Sequence, residues 1–377
     1  MIDQKTIHIW VPGLQDSGGI QHYSLCLIRA LRELFPGSFI RVHSKLDAPD
    51  FHCFDIARVQ VSAHGAVPRA CRTLTYAAAG LWHAMRERPN LILTTHPHFA
   101  KALAHVHRLT GIPFIASAHG LEVWGHLHSG LLSALHAAAG LLPVSEFTRS
   151  RMLEEGGFDS DKIHVVPDTF REEAFQPGPK PAYLMQRLGL RANQPVLLTV
   201  GRLAASEAYK GQDQVIAALP LIRRMHPDVR YIIAGRGDDE PRLRQCVADQ
   251  GQQDAVIFAG FVPDSELADY YRLCDAFVMP STGEGFGIVY LEALASGRPC
   301  IVGNQDASPE AIAHGRFGFA VNPRSPEEIA NAVHRLLSRQ HEKPWLHEPE
   351  TLHREVTKLF GFKSFLQQLS LALAKLV

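Results

Sequence analysis

Two carboxylates and two cations carry the clearest chemical signal in this 377-residue chain. The segment Ser281-Thr282-Gly283-Glu284-Gly285-Phe286-Gly287 places Glu284 among three glycines directly after a strand-like run. A helix predicted from about Phe286 sets Glu292 roughly two turns in, on a face otherwise built of Ile, Val, Leu and Ala. A carboxylate on such a face is costly unless it is paired or hydrogen-bonded. Two carboxylates that accept hydrogen bonds from sugar hydroxyls meet that need; a solvated Glu in a loop and a second on a helix edge are the plainer alternative. Upstream, Val200-Gly201-Arg202-Leu203 and Tyr209-Lys210-Gly211 put an Arg at a strand end and a Lys shortly after it. The guanidinium fork and the compact ammonium can share one diphosphate, where the alternative is two solvated surface cations. A third candidate is the loop Gly13–Gln21, in which Gly18 and Gly19 precede a helix. Paired glycines there let backbone N–H groups approach an anion, helped by the positive end of the helix. The same pattern fits a tight turn capped by Ser17, and its spacing is not that of the Gly-x-Gly-x-x-Gly dinucleotide fingerprint.

The elements that position these groups alternate from end to end. Strand-like runs are expected at Ile7–Val11, Leu91–Thr95, Phe114–Ala118, Leu141–Val144 and His164–Val166, then at Val196–Val200, Tyr231–Ala234, Val256–Phe258, Ala276–Met279 and Cys300–Val302. Helical patterns such as Gln21–Leu34, Gln212–Met225, Glu266–Leu273 and Pro326–Leu337 lie between them. Near-continuous apolar strands alternating with helices predict an α/β protein whose parallel sheets are covered on both faces. Phe175-Gln176-Pro177-Gly178-Pro179-Lys180-Pro181 continues neither helix nor ladder and reads as a linker. The expected organisation is residues 1–175, residues 176–360, and an amphipathic helix over 361–377 that crosses back to the first domain. Two such domains meeting face to face leave a cleft at the carboxyl ends of their strands, where ligands of open α/β sheets bind.

Composition narrows the function. Lys+Arg and Asp+Glu number 38 each, so there is no basic surplus for a protein that holds nucleic acid by neutralising phosphates. Met1-Ile2-Asp3-Gln4-Lys5 leads straight into a strand with no leader pattern, and charge-free stretches such as Leu131–Ser145 fall short of the ~20 residues that cross a bilayer. Six scattered cysteines without a Cys-x-x-Cys pair fit reduced thiols in a cytoplasmic protein, placed there or at the inner face of the membrane. Asp159-Ser160-Asp161 has the form of a metal-binding Asp-x-Asp, but its polar setting before a strand predicts a turn. His96-x-His98, His105-x-His107 and His126-x-His128 lack cysteine neighbours and the three or four convergent ligands of a zinc site, and no metal is expected. Between Ile56 and Leu121 seven Arg/Lys face a single acid, Glu87, a local balance of +6. That bias fits either solvated helix faces or contact with an anionic membrane or a lipid-linked diphosphate.

Taken in order, these motifs resemble the retaining glycosyltransferases of family 4, also called glycosyl transferases group 1. Their Glu-x7-Glu signature matches Glu284 to Glu292. The resemblance covers nearly the whole chain: Gly18-Gly19-Ile20, His119-Gly120-Leu121-Glu122, Val144-Ser145-Glu146, Val165-Val166-Pro167, Gly201-Arg202-Leu203, Lys210-Gly211, Ala234-Gly235-Arg236-Gly237, Gly260-Phe261-Val262 and Pro309-Glu310 fall in the family's order. It implies the GT-B architecture, two Rossmann-like doubly wound domains facing across a cleft, with the acceptor held by the first and the nucleotide-sugar donor by the second. It implies catalytic roles for His119, Glu284, Arg202 and Lys210. Arg202 and Lys210 neutralise the diphosphate in place of a metal, Glu284 grips the donor sugar, Glu292 holds the ribose and His119 faces the sugar. The backbone of Gly285-Phe286-Gly287 completes the cradle, Gly18 and Gly19 approach the diphosphate, and Gly235 and Val262 lie in loops that frame the base. The implied reaction is metal-independent transfer of a hexose, with retained configuration, from a nucleotide diphosphate-sugar, GDP-mannose ahead of a UDP-sugar. The acceptor is a glycan or lipid-linked molecule of surface polysaccharide or glycolipid synthesis. A nucleotide-sugar epimerase of the same architecture and a non-catalytic nucleotide-sugar-binding protein are the alternatives. Two departures stand out: Pro167-Asp168-Thr169-Phe170-Arg171 replaces the family's Asn-Gly turn, and the long segment Leu203–Tyr209 leaves Glu207 either near the phosphates or in solvent.

Overall fold

A computed structural model describes residues 5–15, 18–49 and 58–376. Asp16, Ser17 and Cys53, with the first four residues, lie outside the described residues, so the expected Ser17 cap is not part of the account. The chain divides into two compact units, Met1–Thr169 with Lys363–Val377, and Phe170–Phe362.

The first unit is built on strands β1 (Thr6–Val11), β2 (Phe39–Ser44), β3 (Val59–Ala63), β4 (Leu91–Thr94), β5 (Phe114–Ala118) and β6 (Gly140–Pro143). They form one parallel sheet in the order β3-β2-β1-β4-β5-β6. The second unit repeats the plan with β7 (Val196–Val200), β8 (Arg230–Ala234), β9 (Val256–Gly260), β10 (Ala276–Met279), β11 (Cys300–Gly303) and β12 (Gly318–Val321), ordered β9-β8-β7-β10-β11-β12. In both sheets the order reverses beside the first strand, between β1 and β4 and between β7 and β10. Such a reversal splays the flanking loops and opens a crevice at the carboxyl ends of the strands.

The central strands are buried along almost their whole length because helices cover both faces. The helix Pro326–Leu337 illustrates the fit: Ser325 caps the amide of Glu328, and Ile329, Ala330, Val333 and Leu336 form its buried stripe. In the first unit the helix Arg69–Glu87 crosses Trp10 at Gly80, where a Cβ would come within 2.0 Å of the indole. The final helix, Phe362–Leu376, returns to the first unit. Its Phe365 meets Tyr23 edge-on at 5.8 Å, and Leu376 fills the space left by the missing side chain of Gly140.

Three strands escape the sequence reading: β2, β3 and β12. Strand β2 reads Phe-Ile-Arg-Val-His-Ser, and its Arg41 and His43 disguise it, yet both are buried. Arg41 reaches inward to Glu87 with bonds of 2.8 and 2.5 Å, and His8 on β1 donates to the same carboxylate at 2.9 Å. Conversely, His164–Val166 is not a strand. Its amides donate to Leu141 and Pro143 and Ile163 bridges Leu141, but no ladder forms along it, and Pro167 brings no amide to extend one. The division between units falls at Thr169, a few residues before Phe175–Pro181. That proline-rich segment is fastened to the second unit: Phe175 packs on Tyr271, Lys180 pairs with Asp275 at 2.7 Å, and Arg272 and Arg298 donate to the carbonyls of Gln176 and Gly178.

Asp159 caps a short 3-10 turn over Ser160–Lys162. The paired histidines serve the backbone around them: His105 donates to the Lys101 carbonyl, His107 to that of Ile112, and His96 and His128 accept nearby amides.

Burial pushes His8 down to about 4 despite its Glu87 partner, and does the same to His96. Unfolded histidine binds its proton near pH 6.5, so the unfolded chain takes up more protons below that pH and stability falls with it. We expect urea unfolding to show His8 alone costing on the order of 2 kcal/mol between pH 6.5 and 4.5. A His8→Gln variant should flatten that slope; an unchanged slope would remove His8 as its cause.

Candidate functional site

The loops that leave β7 and β10 flank the reversal in the second sheet, and they bring the predicted charged residues together. Lys210 Nζ lies 2.5 Å from Glu284 Oε1, with side chains only 13% and 14% exposed. Glu207 joins them: it is 3.7 Å from Lys210 and forms an ion pair with Arg202, whose own side chain is 79% exposed. The long Leu203–Tyr209 segment therefore delivers Glu207 into the cluster rather than to solvent. Burial alone would lower the Lys210 ammonium, but Glu284, Tyr209 and Glu207 outweigh it and hold it above the ordinary lysine range. It is charged throughout the physiological range. Tyr209 lies under the same ammonium, 5.3 Å from ring centroid to Nζ, and burial pushes its hydroxyl up to about 12.

Glycines make this approach possible. A Cβ on Gly283 would come within 2.8 Å of the Tyr209 ring, and Gly211, at φ +78°, would press a Cβ to 2.5 Å from the Pro280 carbonyl. Glu284 is set by its backbone: its amide donates to Asp306 at 2.7 Å and its carbonyl accepts from Ala307. Asp306 is buried, also accepts from the Ser308 amide at 2.9 Å, and is pushed up to about 6 by burial.

The helix carrying Glu292 runs over Ile288–Ala295, two residues later than expected, because Gly287 sits at φ +94° where a side chain would strike the Tyr290 ring. No side chain among the described residues caps this helix at Gly287, and the Tyr290 amide turns back to the Gly287 carbonyl at 3.0 Å. The Phe286 side chain itself is buried against Phe360 at 5.5 Å. Glu292 accepts from the Tyr271 hydroxyl at 2.8 Å. Burial pushes its carboxyl up to about 7, with Tyr271 and Arg171 pulling it back.

The loop Gly201–Leu203 is laced to the one after β8. Gly201 and Leu203 amides donate to Ala234 and Arg236, and a Cβ on Gly235 would fall 1.8 Å from the Gly201 carbonyl. Beyond it Arg236 covers the exposed Phe261 ring at 5.0 Å, next to half-buried Val262. A flat, cation-faced edge of this kind suits an aromatic base.

The other predicted residues belong to the first unit. The helix Gly19–Leu34 starts at Gly18 with extended backbone, and no side chain among the described residues caps it. The loop before it is held by Asp47, which accepts from the amides of Leu14 and Gln15 and from the Ser44 hydroxyl at 2.6 Å. The His119 ring donates Nε2–H to the Thr95 carbonyl at 3.0 Å, leaving Nδ1 as an acceptor in the neutral ring. Tyr23 stands edge-on to it at 4.7 Å, and Glu122 binds its backbone amide. Burial lowers the imidazole below its ordinary value, against the pull of Glu122. Sequence reasoning missed Asp47, Tyr271 and Asp306, which have no motif of their own, and named Tyr209 only as the neighbour of Lys210; Glu207 carried a local signal through the length of the Leu203–Tyr209 segment.

Comparison with known proteins now bears on this arrangement. Residues 17–169 match the model described as Glycosyltransferase Family 4, and residues 183–348 match that of Glycosyl transferases group 1. The chain belongs to glycosyltransferase family 4. A similar relative is the GDP-mannose-dependent alpha-(1-6)-phosphatidylinositol monomannoside mannosyltransferase of Mycobacterium tuberculosis (strain CDC 1551 / Oshkosh), 34% identical over 234 residues. That match covers 59% of this chain and 60% of the relative's length. The fold is shared with sucrose-phosphate synthase from Thermosynechococcus elongatus, with TM-score 0.81, 20% identity and coverage of 99% of both chains. It is also shared with Anabaena Alr3699/HepE in complex with UDP and glucose, with TM-score 0.77, 20% identity and coverage of 98% of this chain and 100% of that one. In this family-4 chain, therefore, the Glu-x7-Glu pair sits on the GT-B fold, at the topological reversal of the second sheet.

Asp306 should be the clamp on the Glu284 loop. Asp306→Ala leaves the buried Ser308 amide and the part-buried Glu284 amide without an acceptor, and chemical denaturation should register a loss of about 1–3 kcal/mol. A loss smaller than that of a surface substitution would deny it the role.

Proposed function

We propose that this chain transfers a hexose from a nucleotide diphosphate-sugar to a glycan or lipid-linked acceptor, with retained anomeric configuration and without a metal. The observation that carries this reading is the Lys210–Glu284 pair, with Arg202 and Glu207 joined to it, at the carboxyl end of β7 and β10. Two cations and an uncapped helix start lie where a diphosphate gains most from fixed positive charge. In this reading the donor's phosphates take Lys210 and Arg202 from their resting carboxylate partners. Glu284 is then free to accept from the hydroxyls of the sugar, and Glu292 accepts from the ribose. Arg236 and Phe261 frame the base.

The chemistry follows from those contacts. The bond between the anomeric carbon and the diphosphate oxygen breaks, and the electron pair leaves with the phosphate, which Lys210, Arg202 and the amides stabilise. The acceptor oxygen bonds the anomeric carbon on the same face, and its proton passes to the departing phosphate oxygen. Transition-state charge grows on that phosphate, so preorganised cations there lower the barrier directly. His119 is assigned to the sugar, where its neutral ring offers a lone pair and no charge.

GDP-mannose is the proposed donor, supported by the GDP-mannose dependence of the mycobacterial relative. A panel of nucleotide sugars followed by thermal unfolding should give its largest upward shift with GDP-mannose, since a ligand that binds only the native state stabilises it. A larger shift with UDP-glucose would reassign the donor.

Lys210→Ala and Arg202→Ala should each lower the transfer rate, Lys210→Ala by about 100- to 1,000-fold, while the folded state persists. Near-normal rates in both would refute the phosphate assignment. Burial pushes the Glu292 carboxyl up to about 7, so affinity for the nucleoside diphosphate should rise as pH climbs through that value and the carboxylate forms. Isothermal titration of wild type against Glu292→Gln separates this from ionisation of the nucleotide: the variant should lose the additional pH dependence. Identical profiles would place the ribose elsewhere.

A further inference from the structure

The second unit holds a cavity that the donor site does not use. It lies at the opposite end of the sheet, where Pro195, Asp275 and Pro299 lead into β7, β10 and β11. Strands of four or five residues set it on the order of 15 Å from Arg202 and Glu284. Its volume is about 290 Å³, room for about ten waters at ~30 Å³ each and so for more than a bare phosphate ion. His226, Asp275, Arg298, Leu336, Arg339 and His347 line it.

The charges in this wall are unbalanced. Asp275 already accepts from Lys180 at 2.7 Å and from the Val196 amide at 2.8 Å. Arg298 spends Nη2 on the carbonyls of Gly178 and Arg272, and its buried Nε–H has no acceptor among the described residues. A buried donor left unpaired costs its full desolvation. The Arg339 guanidinium is exposed and makes no hydrogen bond or ion pair among the described residues.

Three helices end at this wall, Gln212–Met225, Ile288–Ala295 and Pro326–Leu337, and their negative ends favour nearby cations. Yet the chain itself takes the final carbonyls of the last two. The Arg298 and Gly297 amides donate to Ala293 and Leu294, and those of Arg339 and Gln340 donate to Leu336 and Arg335. The guanidinium groups are therefore not needed as caps. The second closure has a left-handed position where glycine is customary, and Arg339 occupies it at φ +57°. A side chain is kept there at the cost of backbone strain.

The histidines add a donor. His341 accepts the Lys343 amide at Nδ1, so its neutral ring carries the proton on Nε2 and donates it to His347 Nε2 at 2.9 Å. Neutral His347 then carries its own proton on Nδ1. Burial, His341 and Arg339 together lower that imidazole below its ordinary value, which keeps it neutral near pH 7.

We propose that this cavity is a second anion site, which holds the phosphate group of a small phosphate monoester, or the free ion, between Arg298, Arg339 and His347. A planar carboxylate is satisfied by one guanidinium fork, whereas a phosphate presents acceptor oxygens in several directions at once. The donors here arrive from three separate segments, two that follow helices and the 3-10 turn Pro344–His347. The inference does not rest on the donor-site reading.

Isothermal titration of the full chain with inorganic phosphate, mannose 6-phosphate and unphosphorylated mannose tests it. Both phosphates should bind and mannose should not. Tighter binding of mannose 6-phosphate assigns the site to monoesters, and tighter binding of inorganic phosphate assigns it to the free ion. Lys210→Ala should keep a phosphate isotherm, because that change lies at the donor site. On the Lys210→Ala background, Arg298→Gln and Arg339→Gly should each weaken binding at least about tenfold, the worth of a charge-assisted hydrogen bond. Arg339→Gly should do so without lowering the unfolding temperature of the ligand-free chain, since glycine suits φ +57° better than arginine does. Arg324→Gln, an equal loss of charge elsewhere on the unit, should leave binding intact. Absence of phosphate binding, equal binding of mannose, disappearance of the isotherm in Lys210→Ala, equal loss in Arg324→Gln, or full binding in both Arg298→Gln and Arg339→Gly would each overturn the proposal.

Discussion

The Lys210–Glu284 ion pair is the constraint around which the second unit is arranged. Two largely buried charges are tolerable only when each has the other at close range and further polar groups nearby; removing one strands the other. Holding them together requires the loop after β7 and the loop after β10 to touch, although the residues lie 74 apart in sequence. Gly283 makes room for Tyr209, Gly211 lets the first loop turn beneath the Pro280 carbonyl, and Asp306 fixes the backbone of Glu284 from behind. Arg202 and Glu207 extend the pair into a cluster of two cations and two anions. At rest it is electrically balanced, so an incoming diphosphate competes with carboxylates already in place. Selectivity for an anion able to engage two cations at once follows from that competition.

Both units use the same device to stiffen the loops at the carboxyl ends of their strands. In the first, buried Asp47 accepts from Leu14, Gln15 and Ser44; in the second, buried Asp306 accepts from Glu284 and Ser308. A carboxylate that gathers backbone amides costs desolvation and returns a loop whose shape is fixed before any ligand arrives. Gly18–Gly19 and Gly285–Gly287 each lead into a helix start that no side chain among the described residues caps. In the second unit the fixed loop and the helix start are complementary: one sets the position and the other brings the positive end of a helix to it.

Much of this was legible in the sequence wherever local chemistry and global structure agree. The strands that precede Arg202 and Glu284, Val-Leu-Leu-Thr-Val and Ala-Phe-Val-Met, are nearly continuous apolar runs, so both their existence and the placement of the charges in the loops after them follow from the sequence pattern. Strand β2 fails that test because Arg41 and His43 are buried by partners on β1 and on a helix that ends more than forty residues later. Glu292 was recognisable as a carboxylate in need of a partner, but Tyr271 could not be named, since it reaches across from another helix. Asp306 and Asp47 are invisible for the same reason: an aspartate in a loop looks like any turn residue until the amides it serves are brought to it. Glycine spacing signalled close approach without saying what approaches.

The last helix has a consequence for how the molecule is made. Phe365 and Leu376 complete packing around Tyr23 and Gly140, in the unit that the ribosome synthesises first. Every residue of the second unit has been translated before that helix begins. The unit that starts first therefore finishes last, and its nascent form must persist with the Tyr23 and Gly140 surfaces uncovered while the whole second unit is added. Loss or delay of those fifteen helical residues would therefore be felt in the first unit, not in the one they follow.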